Sequence, residues 1–323
     1  MLIAFLLHHR NDANVNAEVI IVGGGIAGLS AAIYLARARR HTLVVDDGKS
    51  MAHWEPDVQN YLGFPNGIHG LDLLRRAKRQ AARYGACFVD DRIATAQSKE
   101  SEFTLRGEKS YRCRRLLLAT GIFHVPPDIP GVRACLGHSM FFCKDCDGYR
   151  VRKKKVAIYG WTNEAVEYAL AMRAYSDRVY IISDGRKPRW SRRHKAWVRE
   201  YGIPVYTTEI INTLRLKCHL RAIELKDGRR IPTEALFTTR GDICFNKLAR
   251  GLGAKLDRQG QVKVDNEMRT SVRGLYAAGC VTPANCQMII AAGEGAMAAQ
   301  AINKSLFRES LATHSLTGHL PER

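Results

Sequence analysis

The sequence predicts an α/β fold with two Rossmann-like nucleotide-binding domains, each a three-layer ββα arrangement, the second inserted in the first. Three observations predict it. A glycine-rich strand–helix–strand unit begins near residue 18, a second such unit begins at residue 155, and a further strand and helix follow residue 273. Strands that alternate with helices favour parallel, doubly wound sheets. The 323 residues, 46% of them apolar, are enough for two separate cores.

The first unit opens with a continuous apolar segment at 18–22, which is typical of a strand buried on both faces. A glycine-rich turn follows, and the apolar residues after it predict a helix to about Arg39. A second strand is expected at 42–46. This order of elements is that of a βαβ unit.

The turn of the first unit carries Gly23, Gly25 and Gly28 in the spacing Gly-x-Gly-x-x-Gly. The first glycine permits a tight turn, the second lets the backbone approach a pyrophosphate at the helix N-terminus, and the third lets helix and strand pack closely. Asp46 ends the next strand, where a carboxylate can hold ribose hydroxyls. Between a strand and a helix, this pattern predicts a dinucleotide site.

The second unit keeps the order of elements but changes the turn. Its strands are predicted at 155–159 and 178–182, and the turn between the first strand and the helix keeps Gly160. Trp161 fills a position where the backbone has to lie open to phosphates, and Glu164 adds a negative charge near the helix N-terminus. The fold is therefore expected to persist while nicotinamide binding is disfavoured.

The chain is expected to leave the first domain and to return to it. A strand at 273–280 and a helix rich in small residues at 287–302 would complete the first sheet. We therefore predict a discontinuous dinucleotide-binding domain at 1–121 and 247–323, with an inserted domain at 122–246. From about residue 307 the hydrophobic period is lost, which predicts a flexible or surface-bound tail.

Two cysteines with two residues between them, Cys143 and Cys146, form the most informative motif of the inserted domain, and Asp147 follows them directly. This spacing allows a disulfide, and an adjacent carboxyl can supply or receive a proton. A structural zinc half-site is the alternative, but zinc usually needs a second close pair, and Cys280 with Cys286 has poor spacing for that. A redox couple is favoured, and no metal site is predicted.

Charge and cysteine content limit the class of partner and the compartment. The net charge of +19 implies an acidic protein partner, nucleic acid or an anionic membrane surface. Nine cysteines, an odd number scattered over a long chain, favour a reducing cytoplasm. The other cysteines are expected to be small core residues, namely Cys87, Cys113, Cys135, Cys218 and Cys244.

The N-terminal region carries no targeting or membrane signal in this interpretation. The seven apolar residues at 1–7 lack the flanks of a signal peptide and are expected to form a short leader packed on the fold. No segment approaches the roughly 18 apolar residues of a membrane span.

Several motifs coincide in one order along residues 18–305, and together the chain resembles the low-molecular-weight thioredoxin reductase family. They are Gly23-x-Gly25-x-x-Gly28, Ala119-Thr120-Gly121, Cys143-x-x-Cys146-Asp147-Gly148, the turn at 160 and Gly274-x-Tyr276-Ala277-Ala278-Gly279. The resemblance implies a homodimer, a non-covalent FAD in the discontinuous domain and a redox-active disulfide in the inserted one. It further implies that Cys146 faces the flavin, that Cys143 attacks the disulfide of thioredoxin or a similar acidic protein, and that Asp147 is the general acid.

The resemblance also implies a set of cofactor-binding positions around FAD. These are Gly23, Gly25, Ala27, Gly28, Asp46, Asp47, Asn60, Ala119, Thr120, Gly121, Gly279, Cys280, Gln287 and Met288.

Three departures from the family pattern concern the electron donor and one flavin contact. The turn at 160–165 lacks the family's glycine run, and Ile182-Ser183-Asp184 replaces the basic motif that receives the 2′-phosphate of NADPH. Both departures argue against NADPH as the electron donor. Cys280 stands where the family usually has an aspartate bonded to the ribityl chain of FAD, and the loss of one such hydrogen bond costs about 1–3 kcal/mol, which a tightly held flavin tolerates.

In lacking the features that bind NADPH, the chain is most similar to NADPH-independent members of the family. These are the ferredoxin-dependent flavin thioredoxin reductases and the diflavin-linked disulfide oxidoreductases. Residues 186–199 contain seven basic residues and no acid, and 150–155 contain five more. Ferredoxins and flavodoxins are acidic, so these basic segments favour such a donor. The alternative interpretation of each segment is a solvated face.

Two other functions stay open. In a diflavin oxidoreductase, a second flavin would occupy the nicotinamide space, with Trp161, Tyr149, His314 and His319 as stacking or covering groups. In a redox-sensing flavoprotein, the cysteine pair would no longer turn over. Nucleic acid is disfavoured because no nucleic-acid-binding motif accompanies the basic segments.

Overall fold

The computed structural model describes residues 14–100 and 102–315, and the chain divides into two compact units. Within the described residues, the first unit is built from 14–53, 71–122 and 244–315, and the second from Trp54–Gly70 and Phe123–Ile243. The leader predicted at 1–7 lies outside the described residues.

Helices and strands are numbered along the described residues. The α-helices are α1 Ile26–Arg37, α2 Gly70–Arg83, α3 Lys144–Asp147, α4 Asn163–Met172, α5 Arg192–Glu200, α6 Lys247–Gly251 and α7 Met288–Ala312. Short 3-10 turns lie at Met51–Trp54, Val132–Cys135 and Gly148–Val151. The strands are β1 Asn14–Val22, β2 Thr42–Asp46, β3 Cys87–Asp90, β4 Thr95–Lys99, β5 Glu102–Arg106, β6 Ser110–Leu118, β7 Ile122–His124, β8 Met140–Phe141, β9 Val156–Tyr159, β10 Val179–Ile182, β11 Val205–Tyr206, β12 Ile210–Leu216, β13 His219–Leu225, β14 Arg230–Pro232, β15 Ala235–Thr238, β16 Asp242–Cys244 and β17 Leu275–Ala277.

A seven-stranded sheet forms the centre of the first unit. Its order is β3-β2-β1-β6-β5-β4, and β17 pairs in parallel with the end of β6. Alternate residues of β1 pack into different cores because side chains of a strand alternate between its faces. Ile21 packs with residues of α1 and α7, whereas Ile20 packs on the opposite face with residues such as Phe103 and Leu248. The sheet is therefore buried on both sides.

The second unit has a parallel sheet of order β11-β10-β9-β15-β8. Tyr159 packs toward a core shared with the antiparallel sheet β12-β13-β14, while Ile158 packs toward α4. This arrangement is a ββα sandwich. The predicted fold class, with two Rossmann-like units, is confirmed.

The segment Trp54–Gly70 belongs to the second unit, although the predicted boundaries did not include it there. Gly137, with φ +71°, lies so close to the Trp54 carbonyl and to Pro56 that a Cβ at this position would overlap both. The Trp54 ring also packs edge-on against Phe123, with 5.2 Å between ring centroids. These contacts join residues far apart in sequence, so composition alone does not reveal them.

Of the flexible or surface-bound tail expected from residue 307, the described part is largely helical, because α7 continues to Ala312, and it is bound to β6 through ion pairs. Leu306 is fully buried, and Glu309 forms ion pairs with Arg114 and Arg115 of β6. Long-range packing and pairing thus stabilise a polar helix end. Residues 316–323 lie outside the described residues.

The expectation that five cysteines are core residues holds for Cys113 and Cys135, which are buried. It is wrong for Cys87, which is exposed because β3 lies at the edge of its sheet. Cys218 and Cys244 are partly exposed.

Candidate active site

The cysteine pair lies at the start of a short helix in the second unit. Cys143 caps α3, and a disulfide joins it to Cys146 with 5.3 Å between the Cα atoms. The backbone N–H of Cys146 donates to Cys143 Sγ at 3.1 Å, and that of Asp147 donates to the Cys143 carbonyl at 3.1 Å. When the bond opens, an N–H at this position can stabilise a thiolate on Cys143. Both cysteines are partly exposed.

Asp147 is the buried acid beside the pair, with only 4% of its surface exposed. Arg150 donates to its Oδ1 at 2.7 Å and to the Gly137 carbonyl at 3.1 Å. Burial raises the pKa of Asp147 to about 6, although the charge of Arg150 acts in the opposite direction. The carboxyl can therefore hold a proton near neutral pH, as a general acid must.

A second carboxyl, which the sequence did not point to, lies in the same electrostatic cluster. Burial and the charge of Asp147 raise the pKa of Glu55 to about 7. Asp57, on the same segment, lies 3.8 Å from Arg150 Nε. Glu55 and Asp147 are thus two neighbouring carboxyls whose raised pKa values let each hold a proton close to neutral pH. Glu55 precedes Asp147 by 92 positions, and no motif links the two.

Contacts made by Phe142, directly before Cys143, hold the backbone that leads into the cysteine pair. Phe142 precedes Cys143; its carbonyl accepts a hydrogen bond from the Tyr168 hydroxyl at 2.9 Å, and its ring stacks on His124 with 4.9 Å between centroids. His124 Nδ1 lies 2.5 Å from Asp242 Oδ1. The strand β8 directly before Phe142 is buried, so the chain that leads into α3 is packed in the core.

The basic residues near the pair are mostly engaged, which changes the roles expected for them. Lys144 Nζ pairs with Asp145 at 2.7 Å, so its charge is shared with a carboxylate instead of acting on Cys143 alone. Arg150 is an internal partner of Asp147 and not a free surface cation. Arg152 lies 3.5 Å above the ring of Tyr149.

The glycine-rich turn of the first unit has the close approaches that its spacing predicts. Gly23 adopts φ +108°, and a Cβ there would overlap the carbonyl of Ala119. A Cβ at Gly28 would overlap the Gly23 carbonyl, whereas at Gly25 the nearest atom is Ser50 Oγ at 3.4 Å. The first and third glycines are therefore required by packing, whereas at the second an added methyl group would only come into ordinary contact with the Ser50 side chain.

The electrostatics of this turn suit a diphosphate. The first turn of α1 carries no acidic residue, and because the first N–H groups of a helix have no acceptor within it, they can donate to an anion. Asp46 accepts the Gly24 N–H at 2.8 Å, which fixes the turn against the end of β2. A cavity of about 250 Å³ beside it is lined by Gly24, Leu29, Asp46, Lys78, Phe88, Val89 and Asp90.

Other predicted cofactor positions meet at the same edge of the first sheet. Gly279 follows β17 and lies against Ala27 of α1, since a Cβ there would be 2.9 Å from the Ala27 Cβ. The Ala119 N–H donates to the Val22 carbonyl at 2.9 Å, and Thr120 Oγ1 donates to the Phe245 carbonyl at 2.7 Å.

The remaining predicted positions are spread more widely. Gln287 caps α7 and Met288 begins it, both on the chain that leaves Gly279, while Gly121 adopts φ +65° directly after Thr120. Asp47 makes ion pairs with Lys49 and Arg92 at the surface. Asn60 is exposed and lies in the second unit, apart in the chain from the others.

Cys280 is not a free thiol. A disulfide joins it to Cys286, a bond that was not predicted from the sequence. A sulfur atom is a much weaker hydrogen-bond acceptor than a carboxylate, so this side chain is a poor replacement for an aspartate that accepts from a ribityl hydroxyl. Five residues separate the two cysteines, a spacing that matches none of the short motifs, so sequence alone gave no signal for this bond.

Four side chains beside the turn of the second unit contact one another. Asp184, after β10, accepts hydrogen bonds from the Tyr159 hydroxyl at 2.9 Å, from Arg186 at 3.1 Å and from the Ile210 N–H at 2.8 Å. The guanidinium of Arg186 lies 4.4 Å from the centre of the Trp161 ring. We call these four side chains, Tyr159, Trp161, Asp184 and Arg186, the closed cluster. Its only cation in the described structure is already neutralised and stacked.

The helix after this turn also differs from α1. Glu164 lies in the first turn of α4, and its pKa is raised by burial and by the charges of Asp242 and Glu167. A helix N-terminus attracts anions, and a carboxylate there competes with a phosphate. The two turns thus have opposite electrostatics.

The basic segment at 186–199 forms an exposed helix. In α5 no residue is buried, and Arg192, Arg193, Lys195 and Arg199 are exposed. Arg193 lies 4.4 Å from the centre of the Trp197 ring. A second basic helix, α2, exposes Arg75, Arg76, Lys78, Arg79 and Arg83 in the first unit. Among the described residues, no helix combines the length and the apolar character that crossing a membrane requires.

Comparison with known proteins agrees with this geometry. The sequence model of the pyridine nucleotide-disulphide oxidoreductase family matches residues 17–301. The chain belongs to this family. It is 32% identical over 300 residues to a thioredoxin reductase of Treponema pallidum, covering 88% of this chain and 95% of that protein.

Solved structures extend the agreement to three dimensions. The fold matches that of HlmI with a TM-score of 0.86 at 27% identity, covering 94% of this chain and 96% of the other. It matches thioredoxin reductase from Giardia duodenalis with a TM-score of 0.81 at 26% identity, covering 91% and 99%. As a member of the pyridine nucleotide-disulphide oxidoreductase family, the chain is a flavoprotein disulfide oxidoreductase of the thioredoxin reductase type, with FAD as its cofactor.

Proposed function

We propose that this chain passes electrons from an acidic one-electron carrier of the ferredoxin or flavodoxin type, through FAD and the Cys143–Cys146 pair, to the disulfide of thioredoxin or a similar protein. It would thus belong with the NADPH-independent thioredoxin reductases. The single observation that carries the proposal is the contrast between the two turns. The first turn of α1 carries no acidic residue, while the first turn of α4 carries Glu164 and the turn before it lies beside the closed cluster.

The residues of the first unit provide a place for FAD. The glycine turn and the N-terminus of α1 would hold the diphosphate, and Asp46 would lie beside the ribose. When bound, FAD stores two electrons that arrive singly and leave as a pair. We assign the donor to the basic surface of α5, because exposed cations accelerate encounter with an acidic carrier.

The cysteine pair and Asp147 perform the thiol chemistry. Reduction breaks the Cys143–Cys146 bond, and Cys143, with the Cys146 N–H donating to its sulfur, attacks the partner disulfide. Asp147 gives a proton to the departing thiolate. Cys146 then attacks the mixed disulfide and releases the reduced partner. We further propose a homodimer in the cytoplasm, as the family resemblance implies.

Anaerobic titration of the flavin absorbance with NADPH, NADH and reduced ferredoxin tests the donor. We expect stoichiometric bleaching by ferredoxin and slow bleaching by either nucleotide. Rapid bleaching by NADPH would overturn the proposal. Flavin release on denaturation should give one FAD per chain; two would instead establish the diflavin enzyme. If reduced flavin left the cysteine pair oxidised, the chain would be a redox-sensing protein.

A further inference from the structure

The second disulfide, Cys280–Cys286, takes no part in the electron path proposed above. Its Cα atoms lie 5.1 Å apart, and both cysteines are partly exposed to solvent. It closes a loop of the first unit between β17 and α7. Solvent access makes a disulfide available to an external thiol, whereas a buried bond is protected.

The Cys280 end of the loop is anchored by bonds that do not involve sulfur. Glu294 accepts hydrogen bonds from the Gly279 N–H at 2.7 Å and from Thr282 Oγ1 at 3.0 Å. Val281 is fully buried, and its carbonyl accepts the Val262 N–H at 2.8 Å. None of these contacts involves sulfur, so we expect residues 279–282 to keep their positions when the disulfide is reduced.

The Cys286 end is held differently. Residues 283–286 are exposed or partly exposed, and their backbone bonds include two within the loop, Ala284 N–H to Thr282 and Gln287 N–H to Asn285, both at 2.8 Å. The disulfide links this segment covalently to the anchored residues 279–282. Opening the bond therefore loosens residues 283–286 without dismantling the sheet or α7.

The loop adjoins the predicted flavin residues of the first unit. Gly279, directly before Cys280, lies against Ala27 of α1, and Gln287, directly after Cys286, caps α7. A change in the position of residue 286 is thus transmitted to the first residues of α7. The Cys280 end of the loop thus lies beside the helix that follows the glycine turn, and the Cys286 end leads into α7.

We propose that Cys280–Cys286 is a second redox-active disulfide, reduced by dithiols, whose state alters the surroundings of the flavin. A thiolate of the dithiol attacks one sulfur, a mixed disulfide forms, and the Cys280–Cys286 bond breaks, with the released thiolate taking a proton. The second thiol of the reductant then attacks the mixed disulfide, so that the dithiol is oxidised and the pair gains two electrons and two protons. This inference does not depend on the identity of the electron donor.

The test uses the full-length flavoprotein with Cys143→Ser and Cys146→Ser, in which dithiothreitol cannot reach the flavin through the active-site pair. The folded protein is equilibrated with increasing ratios of reduced to oxidised dithiothreitol, alkylated, and mapped by mass spectrometry. We expect Cys280 and Cys286 to become alkylated together at one midpoint. The flavin absorbance or fluorescence should change over the same range.

Matched variants identify the bond responsible. Adding Cys280→Ser and Cys286→Ser should abolish both the labelling and the flavin response. Adding Cys244→Ser, which removes a thiol whose Sγ lies 3.9 Å from the Val281 carbonyl, should leave both unchanged.

Three outcomes would overturn the inference. Alkylation of both cysteines in unreduced, denatured protein would show that the bond does not form. Reduction only in denaturant would make the bond structural, and reduction without any change in the flavin spectrum would separate it from the flavin. If the Cys143→Ser, Cys146→Ser variant fails to fold, alkylation of Cys280 and Cys286 is mapped in the unsubstituted protein instead.

Discussion

Arg150 holds Asp147 in place through a 2.7 Å hydrogen bond while its other amino group donates to the Gly137 carbonyl. The acid is therefore fixed beside the cysteine pair by a cation that does not fully compensate its burial. Burial dominates, and the pKa of Asp147 rises to about 6.

The first prediction concerns proton donation by Asp147. Asp147→Asn should lower the rate of partner-disulfide reduction about 100-fold at pH 6, since a general acid typically contributes that much. In the unsubstituted enzyme the rate should fall as pH rises above about 6, where Asp147 loses its proton. Single-turnover thiol formation between pH 5 and 8 measures both. Asp145→Asn, at an exposed neighbour, is the control and should change the rate less than about threefold.

The second prediction concerns stability and Glu55. Its pKa rises from 4.5 to about 7 on folding, so the folded state binds more protons and stability falls as pH rises through this window. Glu55→Gln removes this contribution to the pH dependence of stability. From pH 5 to pH 8 the unsubstituted protein should lose about 1–2 kcal/mol more unfolding free energy than the variant, after allowance for partial exposure. Urea unfolding at both pH values tests it, with exposed Glu200→Gln as control; equal losses in the Glu55 variant and the parent would contradict it.

The third prediction separates the roles of the two cysteines. Cys146→Ser leaves the proposed attacking thiol without its resolving partner, so a mixed disulfide with oxidised thioredoxin should accumulate. Cys143→Ser should form none. Non-reducing electrophoresis and mass analysis distinguish the two, and flavin reduction should persist in both. Trapping by the Cys143 variant instead would reverse the assignment.

The fourth prediction concerns the basic surface of α5. Arg192→Glu with Arg193→Glu should slow flavin reduction by ferredoxin about tenfold or more at low salt and weaken its salt dependence. Arg79→Glu with Arg83→Glu makes the same charge change on α2. Stopped-flow rates at several ionic strengths compare the pairs, and an equal effect of the α2 pair would refute the α5 assignment.

The fifth prediction concerns Gly28. A methyl group there would overlap the Gly23 carbonyl and approach Ile21, so Gly28→Ala should destabilise the protein by about 1–3 kcal/mol and weaken FAD retention. Gly293→Ala, where no atom lies within 4 Å of the added carbon, is the matched control and should retain FAD. Flavin content after gel filtration and thermal unfolding report the two effects.

Local patterns predicted the parts of the fold that depend on neighbouring residues. The strand at β1, the turn at Gly23–Gly28 and the second unit at β9 each follow from a short apolar run with its turn. Glu55 could not be found this way, because its raised pKa arises from burial and from Asp147 far along the chain. The end of α7 was missed because its stability comes from ion pairs with β6.

The cysteine assignments show the same limit. Cys143 and Cys146 are recognisable because the spacing itself brings the sulfurs together. Cys280 and Cys286 meet because the chain folds back between a strand end and a helix start, a geometry that spacing does not encode. Cys87 is exposed because β3 has no outer neighbour in its sheet, which depends on strand order.

The side chains of the closed cluster depend on one another, so single substitutions within it are costly. Removing Asp184 to release the charge of Arg186 would leave the Tyr159 hydroxyl and the Ile210 N–H without their acceptor, at a cost of about 1–3 kcal/mol for each buried group. Keeping Asp184 and adding another cation leaves Trp161 in the turn. A stepwise route to a basic, open turn in the second unit therefore passes through intermediates that are each less stable, so the packing of the fold itself preserves this turn.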